Sequence, residues 1–164
     1  MAPDERIEVT RPFIAAPAAV FAVLCDPQGH VAIDASGMLQ GAEGDPVTAA
    51  GDSFVVHMDR ESLGDFDMGK YDVTVTICTF EADRKIAWKV LGRVRPQIGH
   101  VYGYRIEPSE DGGSLVTSYY DWSDIAAEWR DAGIFPVISE ANLKATLGIL
   151  DRTVRRGYPL AADR

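Results

Sequence analysis

The chain is poor in the residues that would staple it, load it with metal or make it basic. It has 164 residues and only two cysteines, Cys25 and Cys78, far apart and outside any Cys-x-x-Cys pattern. That excludes a disulfide-built scaffold, and both read as small buried hydrophobes of a reduced, cytoplasmic compartment. The three histidines, His30, His57 and His100, show no metal-ligand spacing, so neither a metal nor a cofactor is expected. Lys+Arg number 16 against 25 Asp+Glu, a formal charge of −9. Nucleic acids and anionic membranes are held mainly by Lys and Arg, so both are poor partners for this chain. No run approaches the roughly 20 apolar residues of a membrane helix, which excludes membrane insertion. The first eleven residues contain Asp4, Glu5 and Glu8 and no apolar run, unlike a signal peptide. Also missing are Gly-x-Ser-x-Gly, a phosphate-binding glycine loop, a dinucleotide fingerprint and any internal repeat.

What is present is enough for one core. Hydrophobic residues make up 46% of the chain, and a chain of this length forms a single domain, here 1–164 with its core at about 5–157. The acidity is uneven. Residues 43–72 carry Glu43, Asp45, Asp52, Asp59, Glu61, Asp65, Asp67 and Asp72 against Arg60 and Lys70, which is six of the nine excess negative charges. From Lys144 onward the balance reverses, with Arg152, Arg155, Arg156 and Arg164 against Asp151 and Asp163.

Periodicity orders the elements. Residues 5–13 read as a strand with Ile7, Val9, Arg11 and Phe13 on one face, Arg11 being its one break. Pro17 opens a short helix with Val20, Phe21 and Leu24 on its apolar face, ending near Asp26-Pro27. A second helical turn is expected over 29–34. The period then becomes two, giving strands at 38–43, 53–58, 71–80, 85–91, 100–106 and 114–122. Turn-rich breaks such as Asp111-Gly112-Gly113 separate them, as in an antiparallel meander. Ser139 caps a long last helix striped by Leu143, Leu147, Leu150 and Val154; its last turns carry Arg152, Arg155 and Arg156, and Gly157 with Pro159 ends it. A one-sided sheet must cover its apolar face, and the last helix is the only large amphipathic element that can do so. The expected fold is therefore α+β: a curved antiparallel sheet of about seven strands wrapped around the last helix, with a cleft between them.

That order, with several local motifs, resembles the SRPBCC superfamily, the START-like helix-grip group of polyketide cyclase/dehydrase-like and birch-pollen-allergen-like proteins. The matching residues include Ala16-Pro17-Ala18-Ala19-Val20-Phe21 leading to Asp26-Pro27, and His30 with Ile33-Asp34-Ala35-Ser36-Gly37-Met38. They continue through Phe80 to Trp88, Gly99 to Pro108, and Tyr120-Asp121-Trp122-Ser123, nearly the whole domain. Where similar sequences often carry an amide this chain has Val75, and where they often carry an acid it has Ser118. Both positions face inward by the alternation, which implies a less polar pocket and puts in doubt the chemistry those groups perform in relatives.

The inward set Tyr71, Val75, Trp88, His100, Tyr102, Tyr104, Ser118 and Tyr120 is the expected ligand-binding wall, apolar with a few placed polar groups. The same residues could equally be core packing under the last helix. His100 is the candidate acid–base residue, since histidine titrates near neutrality; the alternative is a strand-end histidine bonded to backbone or water. His30 and Asp34 are placed near the mouth, with Asp34 more naturally a turn cap than a base. His57 lies opposite Phe54, Val56 and Met58 and is expected to face solvent. The acidic stretch 59–72, with Gly64 and Gly69, reads as a solvated loop or a mobile gate.

These residues imply binding of a small hydrophobic, lipid-like or polyketide-like molecule by a monomer or homodimer. A cyclase/dehydrase-type enzyme is the alternative. A protein-interaction module is disfavoured by polar outer positions such as Thr74, Thr76, Arg105 and Thr117. The acidic stretch, read as a rim around an apolar cleft, would favour neutral or cationic ligands.

Overall fold

The computed structural model describes residues 4–64 and 68–159. A seven-stranded sheet runs in the order β1-β7-β6-β5-β4-β3-β2, with every neighbouring pair antiparallel. The strands are β1 (Arg6–Phe13), β2 (Leu39–Glu43), β3 (Ser53–Asp59), β4 (Lys70–Glu81), β5 (Lys85–Leu91), β6 (Val101–Pro108) and β7 (Ser114–Asp121). The helices are α1 (Pro17–Cys25), α2 (Pro27–Ile33), α3 (Ala127–Asp131) and α4 (Glu140–Arg155). This is the helix-grip α+β fold expected from the sequence. Among the described residues, no helix is long and apolar enough to cross a membrane.

Alternation along the strands builds the core. Val73, Val75 and Ile77 of β4, Ile86 and Trp88 of β5, and Val116 and Tyr120 of β7 are buried in one cluster with Leu143, Leu147 and Leu150 of α4. The Ser139 hydroxyl accepts the Asn142 N–H at 3.0 Å and so caps α4. Arg11, the break in the apolar face of β1, binds Asp151 of α4 at 2.9 Å. Asp151 is only 6% exposed and is also met by Arg155 at 3.3 Å, so two guanidinium groups compensate one buried carboxylate.

Three expectations change. The second helix starts at Pro27 rather than residue 29, because Asp26 accepts the Gln28 N–H at 3.1 Å and caps it with proline in the first turn. Cys25 is buried, but Cys78 is exposed. Alternation after the inward Val73, Val75 and Ile77 puts Cys78 on the outer face, and a β-bulge between Ile77 and Thr79 then returns Phe80 to the inner face against Phe21, with ring centroids 5.3 Å apart. His30 is not at a mouth. It is 6% exposed, wedged edge-on between Phe54 at 5.0 Å and Trp88 at 4.6 Å, with Nε2 donating to the Leu24 carbonyl at 2.7 Å.

Candidate functional site

An open cleft of about 590 Å³ lies at the end of the fold where α4 begins. Its apolar wall comes from Ile7 of β1, Met38 before β2, Leu63 after β3, and Pro136, Val137 and Ile138 before α4. Ser36, Ser139 and Asn142 add neutral polar groups, and Arg60 is the charged side chain among the described lining residues. Arg60 also bonds the Met38 sulfur, so its guanidinium lies across the cleft floor. Asp34 shapes the same rim. Its carboxylate accepts the Ser36 N–H at 2.8 Å and the Leu39 N–H at 2.9 Å, closing the turn between α2 and β2.

The acids of 43–72 do not form one rim around this cleft. Asp45 and Asp52 sit in the β2–β3 turn, at the other end of that hairpin from Arg60. Glu43 and Asp72 flank His57, at 3.4 and 2.7 Å from its two ring nitrogens. Asp65 and Asp67 lie outside the described residues, as does the centre of the loop read as a gate.

None of the eight residues expected to bind ligand is among those lining the open cleft. Val75, Trp88, Tyr104, Ser118 and Tyr120 are buried in the packed interior. Trp88 stacks between Tyr102 and Tyr104, with centroids 6.3 and 6.0 Å away. Tyr71 and Tyr102 are half-buried. The Tyr102 phenol is pushed well above its usual range by burial, opposed by the nearby Arg60 charge, which puts Tyr102 within electrostatic reach of the cleft floor.

His100 stands immediately before β6 and is 6% exposed. Its Nδ1 is 2.6 Å from the Tyr120 hydroxyl. Its ring meets Tyr102 at 5.3 Å and Phe135 at 5.9 Å, both edge-on. Burial lowers its pKa to about 4, so the imidazole is neutral at pH 7 and shares a hydrogen bond with the phenol through Nδ1. The Val137 amide approaches the same phenol oxygen from the segment that walls the cleft. His100 and the cleft therefore both adjoin residues 135–137.

That segment is what the sequence did not reveal. From residue 126 to residue 139 no side chain is buried, so no apolar stripe marks α3 or its flanks. The legible signal was indirect: a stretch without period between two strongly periodic elements, carrying Trp129, Ile134 and Phe135.

No protein-family model and no curated protein matches the chain. Solved structures do. The Zhui aromatase/cyclase from a Streptomyces species has a TM-score of 0.63 at 17% identity, with 96% of this chain and 97% of that one covered. An AHSA1-like protein from Aeromonas hydrophila gives 0.57 at 18% identity, covering 92% of each chain. The Aha1 dimer from Colwellia psychrerythraea gives 0.60 at 12% identity, covering 93% of this chain and 98% of that one. At these identities the likeness is one of fold, and it agrees with the helix-grip resemblance seen in the sequence.

Proposed function

We propose that the chain binds a small hydrophobic molecule in the cleft bounded by Ile7, Met38, Leu63, Val137 and Ile138. The observation that carries this reading is an open space of about 590 Å³ walled mainly by apolar side chains, within the size range of small-molecule sites. Exclusion of water from those side chains would supply most of the affinity. The neutral groups of Ser36 and Asn142 and the Arg60 guanidinium would orient a hydroxyl, carbonyl or carboxylate of the ligand.

The neutral fluorescent probe 1-N-phenylnaphthylamine tests the reading. It should bind wild type with enhanced emission, and Ile138→Asp should weaken it about tenfold or more by placing a carboxylate on the apolar wall. Equal binding by Ile138→Asp, or none by wild type, would overturn the assignment of this cleft.

A cyclase/dehydrase-type reaction is the second reading, favoured by the neutral His100 imidazole hydrogen-bonded to a phenol beside the cleft. Binding is preferred because His100 is not among the residues that line the cleft.

A further inference from the structure

The partition between the open cleft and the buried aromatic set is weakly held. Residues 126–139 lie between Ile125, 7% exposed, and Leu143, 5% exposed, and contribute no fully buried side chain; their apolar contact with the core comes from the partly buried Val137 and Ile138. Segments with little fully buried surface open at lower free-energy cost than the core. A few polar ties hold this one down, one of them from the Val137 N–H to the Tyr120 hydroxyl. The Ala126 N–H donates to the Ile98 carbonyl at 3.0 Å, and the Trp129 indole N–H donates to the Pro96 carbonyl at 2.7 Å. Arg130 reaches the Ser123 carbonyl at 2.9 Å and pairs with Glu5. Trp129 and Phe135 meet edge-on at 6.4 Å, and Phe135 in turn covers the His100 ring.

Under the segment is a surface of unusual composition for a core: one imidazole and two phenols in mutual contact, His100, Tyr102 and Tyr120. Over it is the apolar cleft wall of Pro136, Val137 and Ile138. We propose that residues 126–139 form a gate, latched by Trp129 on Pro96, whose opening joins the cleft to an inner subsite of His100, Tyr102 and Tyr120. The inference rests on the cleft being a ligand site and assigns it a second, polar-aromatic chamber. Closed, the protein shows an apolar groove. Open, it offers an imidazole and two hydroxyls to the polar group of an apolar ligand.

The three histidines make the test ligand-independent, because each reports a different environment. His57 is solvent-facing, His30 is enclosed between α2 and the sheet, and His100 is covered by the gate. Diethyl pyrocarbonate at pH 7, followed by peptide mass spectrometry, reads their relative reactivity. His100 should react more slowly than His57 and clearly faster than His30. Trp129→Phe keeps the ring and removes the latch N–H. It should speed His100 modification about fivefold, the change expected for one net hydrogen bond, with His30 and the melting temperature unmoved. Phe135→Ala, which strips the ring from His100, should do the same. The gate is overturned if His100 stays as slow as His30 in all three proteins, or if Trp129→Phe accelerates His30 equally. Binding of 1-N-phenylnaphthylamine without protection of His100 would overturn the joined subsite. Failure of the probe to bind at all would instead remove the cleft reading and leave the gate to stand or fall on the His100 rates.

Discussion

The three histidines show how position alone sets a side chain's chemistry. His57 sits on the outer face, where the Asp72 hydrogen bond raises its pKa above 6.5, with the Asp72 and Glu43 charges adding to this. His30 and His100 are buried, and desolvation lowers each to about 4. The signs oppose. His57 contributes stability that is fully present below pH 6.5 and is lost as pH rises through its raised folded value. His30 and His100 contribute nothing near pH 7, but as pH falls from 6.5 toward 4 the unfolded chain takes up protons that the folded chain refuses. At about 1.4 kcal/mol per pKa unit, the two buried rings should together remove several kcal/mol over that interval. Two-dimensional NMR should give midpoints near 4 for His30 and His100 and above 6.5 for His57. Urea melts should show stability falling from pH 6.5 to 4.5; a His100 midpoint near 6.5 would mean that the ring is not enclosed. The sequence separated His57 from the other two by its parity against Phe54, Val56 and Met58. It did not place His30, because burial between Phe54 and Trp88 depends on how α2 packs on the sheet, a long-range contact with no local signature.

At the scale of elements, periodicity carried most of the fold. The strands and the last helix are legible because each buries one face, and burial of one face is what imposes period two or 3.6. Departures from period carried information too. Arg11 interrupts the inner face of β1 because it answers Asp151, and the parity change from Ile77 to Phe80 marks the bulge at Cys78. The element that was not legible, α3, buries nothing and so has no pattern to show. The Arg11–Asp151 pair yields a prediction here. Arg11→Met removes one of the two guanidinium partners of a carboxylate 6% exposed, while Arg155 remains. Because Arg11 is itself half-exposed, the cost is set nearer a surface pair than a buried one, about 1 kcal/mol. Arg11→Met combined with Asp151→Leu should recover most of it. Denaturant melts of the single and double variants check both values, and a double variant less stable than Arg11→Met would show that the pair is not what joins β1 to α4.

On the scale of the whole molecule, the sheet and α4 enclose an aromatic set that includes Trp88, Tyr104 and Tyr120, yet the open space lies where α4 begins. Of the inward residues foreseen as a ligand wall, Trp88, His100, Tyr102, Tyr104 and Tyr120 share one aromatic set, outside the lining of the open cleft. The cleft itself was not legible. Its wall is assembled from β1, the start of α4 and three separate connections, and side chains such as Met38, Leu63 and Val137 have no pattern that distinguishes them from ordinary loop residues. The central claim is that ligand enters at this end of the fold. It is tested most directly by titrating ¹⁵N-labelled protein with 1-N-phenylnaphthylamine and mapping the amide shifts. The account predicts saturable changes centred on Ile7, Met38, Leu63, Val137, Ile138 and Asn142, extending to His100 and Tyr102 as the gate opens. Changes confined to outer-face positions such as Thr76, Lys89 and Arg105, or no saturable change, would contradict it.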